Sequence, residues 1–147
     1  NDPDSKNYAC ELRNFVAHHR LEKQVNLPGP APSVLACLRD ADWLVHPTPA
    51  EPCGVAVIEA LALGVPALVS ASGGPAEIVE HGQTGLQFEP GNPADLAAKL
   101  RAILRRQIAL KTPAEIRASV RPRSASQTAA KYGALYELLR PARTVPR

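Results

Sequence analysis

Glu51 and Glu59 stand eight positions apart in the run Thr48-Pro49-Ala50-Glu51-Pro52-Cys53-Gly54-Val55-Ala56-Val57-Ile58-Glu59. Pro49 and Pro52 stiffen the first part of this run, and the second part reads as an apolar helix. Gly54, at the helix start, lets another group approach the backbone closely. The first-turn N–H groups of a helix have no partner inside it, so they form an anion site that suits a diphosphate. Glu59 lies one turn beyond Val55, about 6 Å along the axis. Helical side chains lean toward the N-terminus, so its carboxylate reaches back to the same place. There it can accept hydrogen bonds from two vicinal hydroxyls, as a ribose presents them. A carboxylate inside AVIEALAL is costly to bury without such a use. Glu51 stays open between two readings: a loop acid that favours the following helix dipole, or a group placed at the ligand.

A second candidate is Ser72-Gly73-Gly74-Pro75-Ala76-Glu77, read as a glycine loop opening a helix at Pro75. Its glycines could turn backbone amides toward a sugar or phosphate, and Glu77 reads as helix-start chemistry. Gly82-Gln83-Thr84-Gly85 reads as a tight structural turn. His46, at a strand end, reads as a packed, hydrogen-bonded histidine, and Cys53 as a small apolar filler with no base beside it. Neither G-x-x-x-x-G-K-[S/T] nor G-x-G-x-x-G occurs, so the common phosphate and dinucleotide fingerprints are absent. Cys10, Cys37 and Cys53 form no C-x-x-C, and His18, His19, His46 and His81 show no ligand spacing. No metal and no other cofactor is expected, and the unpaired thiols suggest a reducing, cytoplasmic setting.

The elements that must position these residues follow from periodicity. Helices are predicted over 8–19, 32–41, 55–63, 75–80, 93–106 and 124–139. Strands are predicted over 25–29, 43–47, 66–70 and 86–89. The strands are continuous apolar runs that alternate with helices, the pattern of a parallel sheet covered on both faces. The expected fold is a Rossmann-like, doubly wound α/β domain over residues 1–140, with a disordered tail at 141–147. Ligands in such sheets bind beyond the carboxyl ends of the strands, which selects the loops after Gly29, Val45 and Ser70.

Length and composition agree: 147 residues, 45% apolar and 21% charged, fit one globular domain and exclude extensive disorder. The longest apolar stretch is broken by Glu59, Gly64 and Pro66, so no transmembrane span is expected. The start has no signal-peptide profile, and the absence of methionine reads as a processed chain or a piece of a longer one. Charge is uneven. Residues 1–100 carry 6 Lys/Arg against 12 Asp/Glu, and residues 101–147 carry 11 against 2. The basic end is either a solvated helix face or a contact with an anionic membrane surface or partner. With few aromatics and no recognition motif, nucleic acid is not expected as a partner.

The stretches ADWLVHPT, EPCGVAVIEALALGVP, GGPAEIV and GQTGL together resemble the C-terminal domain of retaining, GT-B-fold group 1 glycosyltransferases. The resemblance spans about Leu12 to Leu139, with Glu51 and Glu59 as the family's E-x7-E pair. Cys53 departs from the bulky aromatic common at its position. The resemblance implies that Glu59 holds the ribose of a nucleotide-diphosphate sugar. It implies that Glu51 lies by the donor sugar and supports developing oxocarbenium charge. It further implies that Thr48, Cys53, Gly54 and Val55 line the diphosphate and sugar site, and that the turn ending at Gly29 borders the base.

The same resemblance marks what this sequence does not contain. The family's phosphate-binding Arg and Lys belong to an earlier strand-loop-helix unit, and its acceptor domain precedes that. No Lys or Arg lies between Arg39 and Lys99. The expectation is therefore a donor-binding piece that transfers no sugar alone and needs an N-terminal acceptor domain as partner. A non-catalytic nucleotide-binding or interaction module of the same fold is the alternative.

Overall fold

The computed structural model describes residues 3–140 and divides the chain into two compact units, residues 1–33 and 34–147. The expected tail at 141–147 lies outside the described residues.

In the first unit, helix α1 (Pro3–His18) starts five residues before the predicted Tyr8. Pro3, pre-set in φ and lacking an N–H that would go unpaired anyway, suits a first helical position. The strand expected at 25–29 does not form; these residues are irregular. Gln24 and Val25 turn back to donate to the Leu21 carbonyl, at 2.9 and 2.8 Å. Pro28 and Pro30 then remove the donors a strand needs.

The second unit runs α2 (Val34–Arg39), β1 (Leu44–His46), α3 (Val55–Leu63), β2 (Ala67–Ser70), α4 (Gly73–Ile78), β3 (Gly85–Phe88), α5 (Pro93–Leu104), α6 (Pro113–Ser119), a 3₁₀ turn (Arg121–Arg123) and α7 (Ala125–Leu139). The strands form one parallel sheet in the order β1-β2-β3, with Leu44 opposite Ala67 and Ala67 opposite Gly85.

Side chains of β2 alternate between two apolar layers, as the pleat requires. Ala67 and Val69 pack with Val57 and Leu61 of α3, Ile78 and Val79 at the end of α4, and Ile116 of α6 with Val120. Leu68 points the other way, to Leu86, Phe88, Trp43 and the α5 residues Leu96, Leu100 and Ile103. Helices thus cover both faces, the doubly wound arrangement expected. Each fully buried Leu or Val of this core contributes about 1.5–3 kcal/mol.

Helix α3 keeps the bounds the sequence predicted. Gly54 and Gly64, both left-handed, flank it, and the Gly64 N–H closes it onto the Ala60 and Leu61 carbonyls. Asn92 caps α5 by accepting from the Ala94 and Asp95 N–H groups. Helix α6 was not expected. Thr112 and Glu115 bond each other's backbone N–H in a capping box around Pro113. Among the described residues no helix is long and apolar enough to cross a membrane.

Candidate functional site

Strand β1 delivers the chain to His46, and the loop 47–54 carries it to the start of α3 at the carboxyl edge of the sheet. Gly54 (φ 72°) turns the backbone so that two consecutive amides point back along the loop. The Glu51 carboxylate meets both. Its Oε1 accepts from the Cys53 N–H at 3.0 Å and from the Gly54 N–H at 2.9 Å. The Gly54 and then the Cys53 amide, with a smaller pull from His46, hold its pKa below the ordinary carboxylate value against a small desolvation effect. Glu51 is therefore a loop-ordering anion, with Oε2 making no hydrogen bond among the described residues.

This engages two of the amides that sequence reasoning offered to a ligand. The N–H groups of Val55 and Ala56 are without a partner among the described residues, as first-turn amides with no carbonyl of the helix before them; the intrahelical bonds begin with Val57 and Ile58, which donate to the Gly54 carbonyl. Val55 is exposed, and Glu59, one turn later, is half-buried with no hydrogen bond among the described residues. Thr48 and Cys53 are exposed on the loop. Unpaired amides and an unpaired carboxylate thus lie one helical turn apart, which gives an anion and a diol places to bind.

The glycine pair belongs to the first turn of α4 and is not the loop the sequence suggested. Its function is to admit the Glu51 loop. A Cβ on Gly73 (φ 65°) would collide with the Glu51 carbonyl, and one on Gly74 with the Pro52 carbonyl. The Gly74 N–H donates to the Glu51 carbonyl at 2.9 Å. Ser72 Oγ donates to the Pro49 carbonyl at 2.6 Å and lies 3.0 Å from the Oγ of buried Ser70. The loops after β1 and β2 are stitched into one rim. Gly73→Ala combines left-handed strain with a backbone clash, and strain of that kind alone costs roughly 1–3 kcal/mol. Thermal unfolding of this variant should show a clear loss of stability; an unchanged midpoint would mean that the two loops are not packed as described.

His46 does not have the partner the sequence reading gave it. Its Nδ1 is buried and unpaired among the described residues. Gly29 belongs to the first unit, where residues 26–29 and the α1 residues Ala9, Leu12 and Arg13 enclose about 260 Å³. Arg13 falls within the helix predicted over 8–19, and its place in that cavity had no signal in the sequence. Residues 82–85 form the expected turn, with Thr84 Oγ1 accepting from the Glu80 N–H at 3.0 Å. The thiols of Cys10, Cys37 and Cys53 are free.

Residues 4–122 match the family described as Glycosyl transferases group 1. The glycogen synthase of Mycobacterium tuberculosis is 44% identical over 71 residues, 48% of this chain and 17% of the relative. The D-inositol 3-phosphate glycosyltransferase of Pseudarthrobacter chlorophenolicus is 34% identical over 101 residues, 67% of this chain and 24% of the relative. The chain thus spans a quarter or less of the length of these curated relatives. The crystal structure of Anabaena HepE in complex with UDP superposes with a TM-score of 0.72 at 25% identity, covering 94% of this chain and 38% of that one. The same protein is known in complex with UDP-glucose, at TM-score 0.69 and 25% identity, covering 91% of this chain and 37% of that one.

Proposed function

The chain belongs to the group 1 glycosyl transferases, and on that premise we propose that it is the donor-binding part of a retaining hexosyltransferase. Its donor is a nucleotide-diphosphate sugar, and its acceptor is a glycan or lipid. One observation carries the reading. A single loop and helix present a fixed carboxylate, Glu51, then two unpaired amides, then a carboxylate, Glu59, with no hydrogen bond among the described residues; we assign these in turn to sugar, diphosphate and ribose. Complexes of the Anabaena neighbour with UDP and UDP-glucose support a donor of that class.

In this mechanism Glu59 accepts from the ribose diol, and the Val55 and Ala56 amides meet the diphosphate. The ordered Glu51 carboxylate faces the sugar. As the leaving oxygen departs, positive charge grows on the sugar ring. A carboxylate already oriented by two amides stabilises that charge without reorganising. Cysteine at 53 keeps the place free of a large side chain beside the Glu51 loop.

Retention is tested on the product. With an α-linked donor, the linkage formed by the enzyme that carries this chain is read by proton NMR. An α-linked product is expected; a β-linked one contradicts the retaining mechanism. The 147-residue chain by itself is expected to bind donor weakly, with a Kd on the order of 1 mM, and to turn none over. A retaining transfer needs donor and acceptor closed together in a dry cleft. Turnover by this chain alone would show that it already supplies an acceptor site.

A further inference from the structure

Ser72 stands at the cap position of α4 and does not cap it. A serine there ordinarily accepts from the second or third N–H of its helix. Asn92, Thr112 and Ser124 do so for α5, α6 and α7. Before α4 neither partner is available. The third helical residue is Pro75, which has no N–H. The second is Gly74, whose N–H donates to the Glu51 carbonyl at 2.9 Å. The Ser72 hydroxyl crosses to the same loop and reaches the Pro49 carbonyl.

Counting protons fixes the direction of this network. A hydroxyl has one proton to donate. That of Ser72 goes to the Pro49 carbonyl at 2.6 Å. The 3.0 Å contact between the Ser70 and Ser72 hydroxyls is therefore a bond that Ser70 donates. Ser70 ends β2, the central strand, and is 1% exposed. The bonds thus run from the buried middle of the sheet, through Ser72, to the loop after β1.

Glu51 lies between two held carbonyls, that of Pro49 on Ser72 and its own on Gly74. Pro49 and Pro52 fix φ on either side of it. Few backbone torsions are left free between these points, and Oε1 is committed to the Cys53 and Gly54 amides. A carboxylate that stabilises developing charge without reorganising needs its direction set in this way beforehand. We propose that Ser72 is a positioning residue for the Glu51 carboxylate, acting through the Pro49 carbonyl with Ser70 as its anchor. Its part in turnover rests on the transferase reading above; its hold on the loop does not.

The test compares the chain with Ser72→Ala, Ser72→Thr and Ser70→Ala, with thermal unfolding as the check on folding. Two NMR readouts report on the loop: the amide shifts of Cys53 and Gly54, and the Glu51 carboxyl carbon followed with pH. In Ser72→Ala both amides should shift. Glu51 should titrate at higher pH than in wild type, because the Gly54 and Cys53 amides that hold its pKa down are no longer aligned with it. Ser72→Thr keeps the hydroxyl on an extended backbone that suits a branched side chain, and should restore both readouts. Ser70→Ala leaves the Pro49 bond in place and should give a smaller change of the same sign. In the enzyme that carries this chain, nucleoside diphosphate release is measured with UDP-glucose, ADP-glucose and GDP-mannose. Ser72→Ala should lower kcat roughly ten-fold, the size of one lost hydrogen bond, with KM for the donor changed far less. Wild-type amide shifts and titration in a folded Ser72→Ala overturn the proposal, and so does an unmoved Ser70→Ala where Ser72→Ala fails to fold. Matching losses in kcat and donor affinity, or no rescue by threonine, overturn the positioning role. Moved shifts with unchanged turnover keep the hold of Ser72 on the loop and remove the catalytic reading of Glu51.

Discussion

Replacing Glu51 by Gln in the enzyme that carries this chain should lower turnover by about 10²–10³, the size expected for removing one preorganised electrostatic contact. Donor affinity should change far less. The amide oxygen of Gln can still accept from the Cys53 and Gly54 N–H groups, so the loop keeps its shape while the charge is lost. Glu51→Ala removes the acceptor as well, and should add a loosened loop and weaker donor binding. Rate measured with donor saturating, beside donor affinity, separates the two effects. Equal losses in both quantities for Glu51→Gln would make Glu51 a ground-state binding residue. The pH profile follows from the same hydrogen bonds. Folding lowers the pKa of Glu51, so its ordering of the loop is complete above the unfolded carboxylate pKa. That order is lost only as pH falls through the lower folded value. Loop order should persist through the ordinary carboxylate range and fail below it.

Glu59→Ala should weaken donor binding by about 10- to 150-fold, the equivalent of roughly 1.5–3 kcal/mol for hydrogen bonds to a charged group. The fold should survive, since Glu59 is half-buried and holds no partner among the described residues. Removing an unpaired carboxylate from an apolar helix leaves nothing else unsatisfied. A nucleoside diphosphate should show the same loss as the full nucleotide sugar, because the contact is to the ribose. Calorimetry with UDP and its 2′,3′-dideoxy analogue gives the double-mutant comparison: the analogue should bind wild type and variant alike. Unchanged UDP affinity in a folded variant would refute the assignment.

The placement of those two carboxylates on one loop and the helix after it was legible because its signals are local; their roles rest on the proposal. The α3 bounds follow from Gly54 and Gly64, and the strand ALVS from an unbroken apolar run. Other signals were equally local and pointed wrongly. Val25-Asn26-Leu27 has strand propensity, yet Pro28 and Pro30 deny it a ladder. Thr112-Pro113-Ala114-Glu115 spells a capping box that opens α6, and its short apolar face of Ile116 and Val120 hid it.

What the sequence withheld is tertiary. The two glycines at 73 and 74 read as freedom for a ligand, while their need is the approach of the Glu51 backbone. That the Glu51 carboxylate turns onto the amides of its own loop depends on the left-handed φ at Gly54, and a glycine alone does not announce its dihedral. Arg123 donates to the Glu77 carbonyl at 2.9 Å from 46 residues further along the chain, and no spacing in the sequence connects the two.

The most direct test of the central claim is an amide chemical-shift titration of this chain with UDP-glucose, ADP-glucose and GDP-mannose. The account predicts saturable shifts, with at least one of these donors, centred on the amides of Val55 and Ala56 and extending to Glu51, Cys53, Gly54 and Glu59. The Glu59→Ala variant should shift the titration midpoint to higher donor concentration. Shifts that saturate elsewhere and leave residues 51–59 unmoved would contradict it.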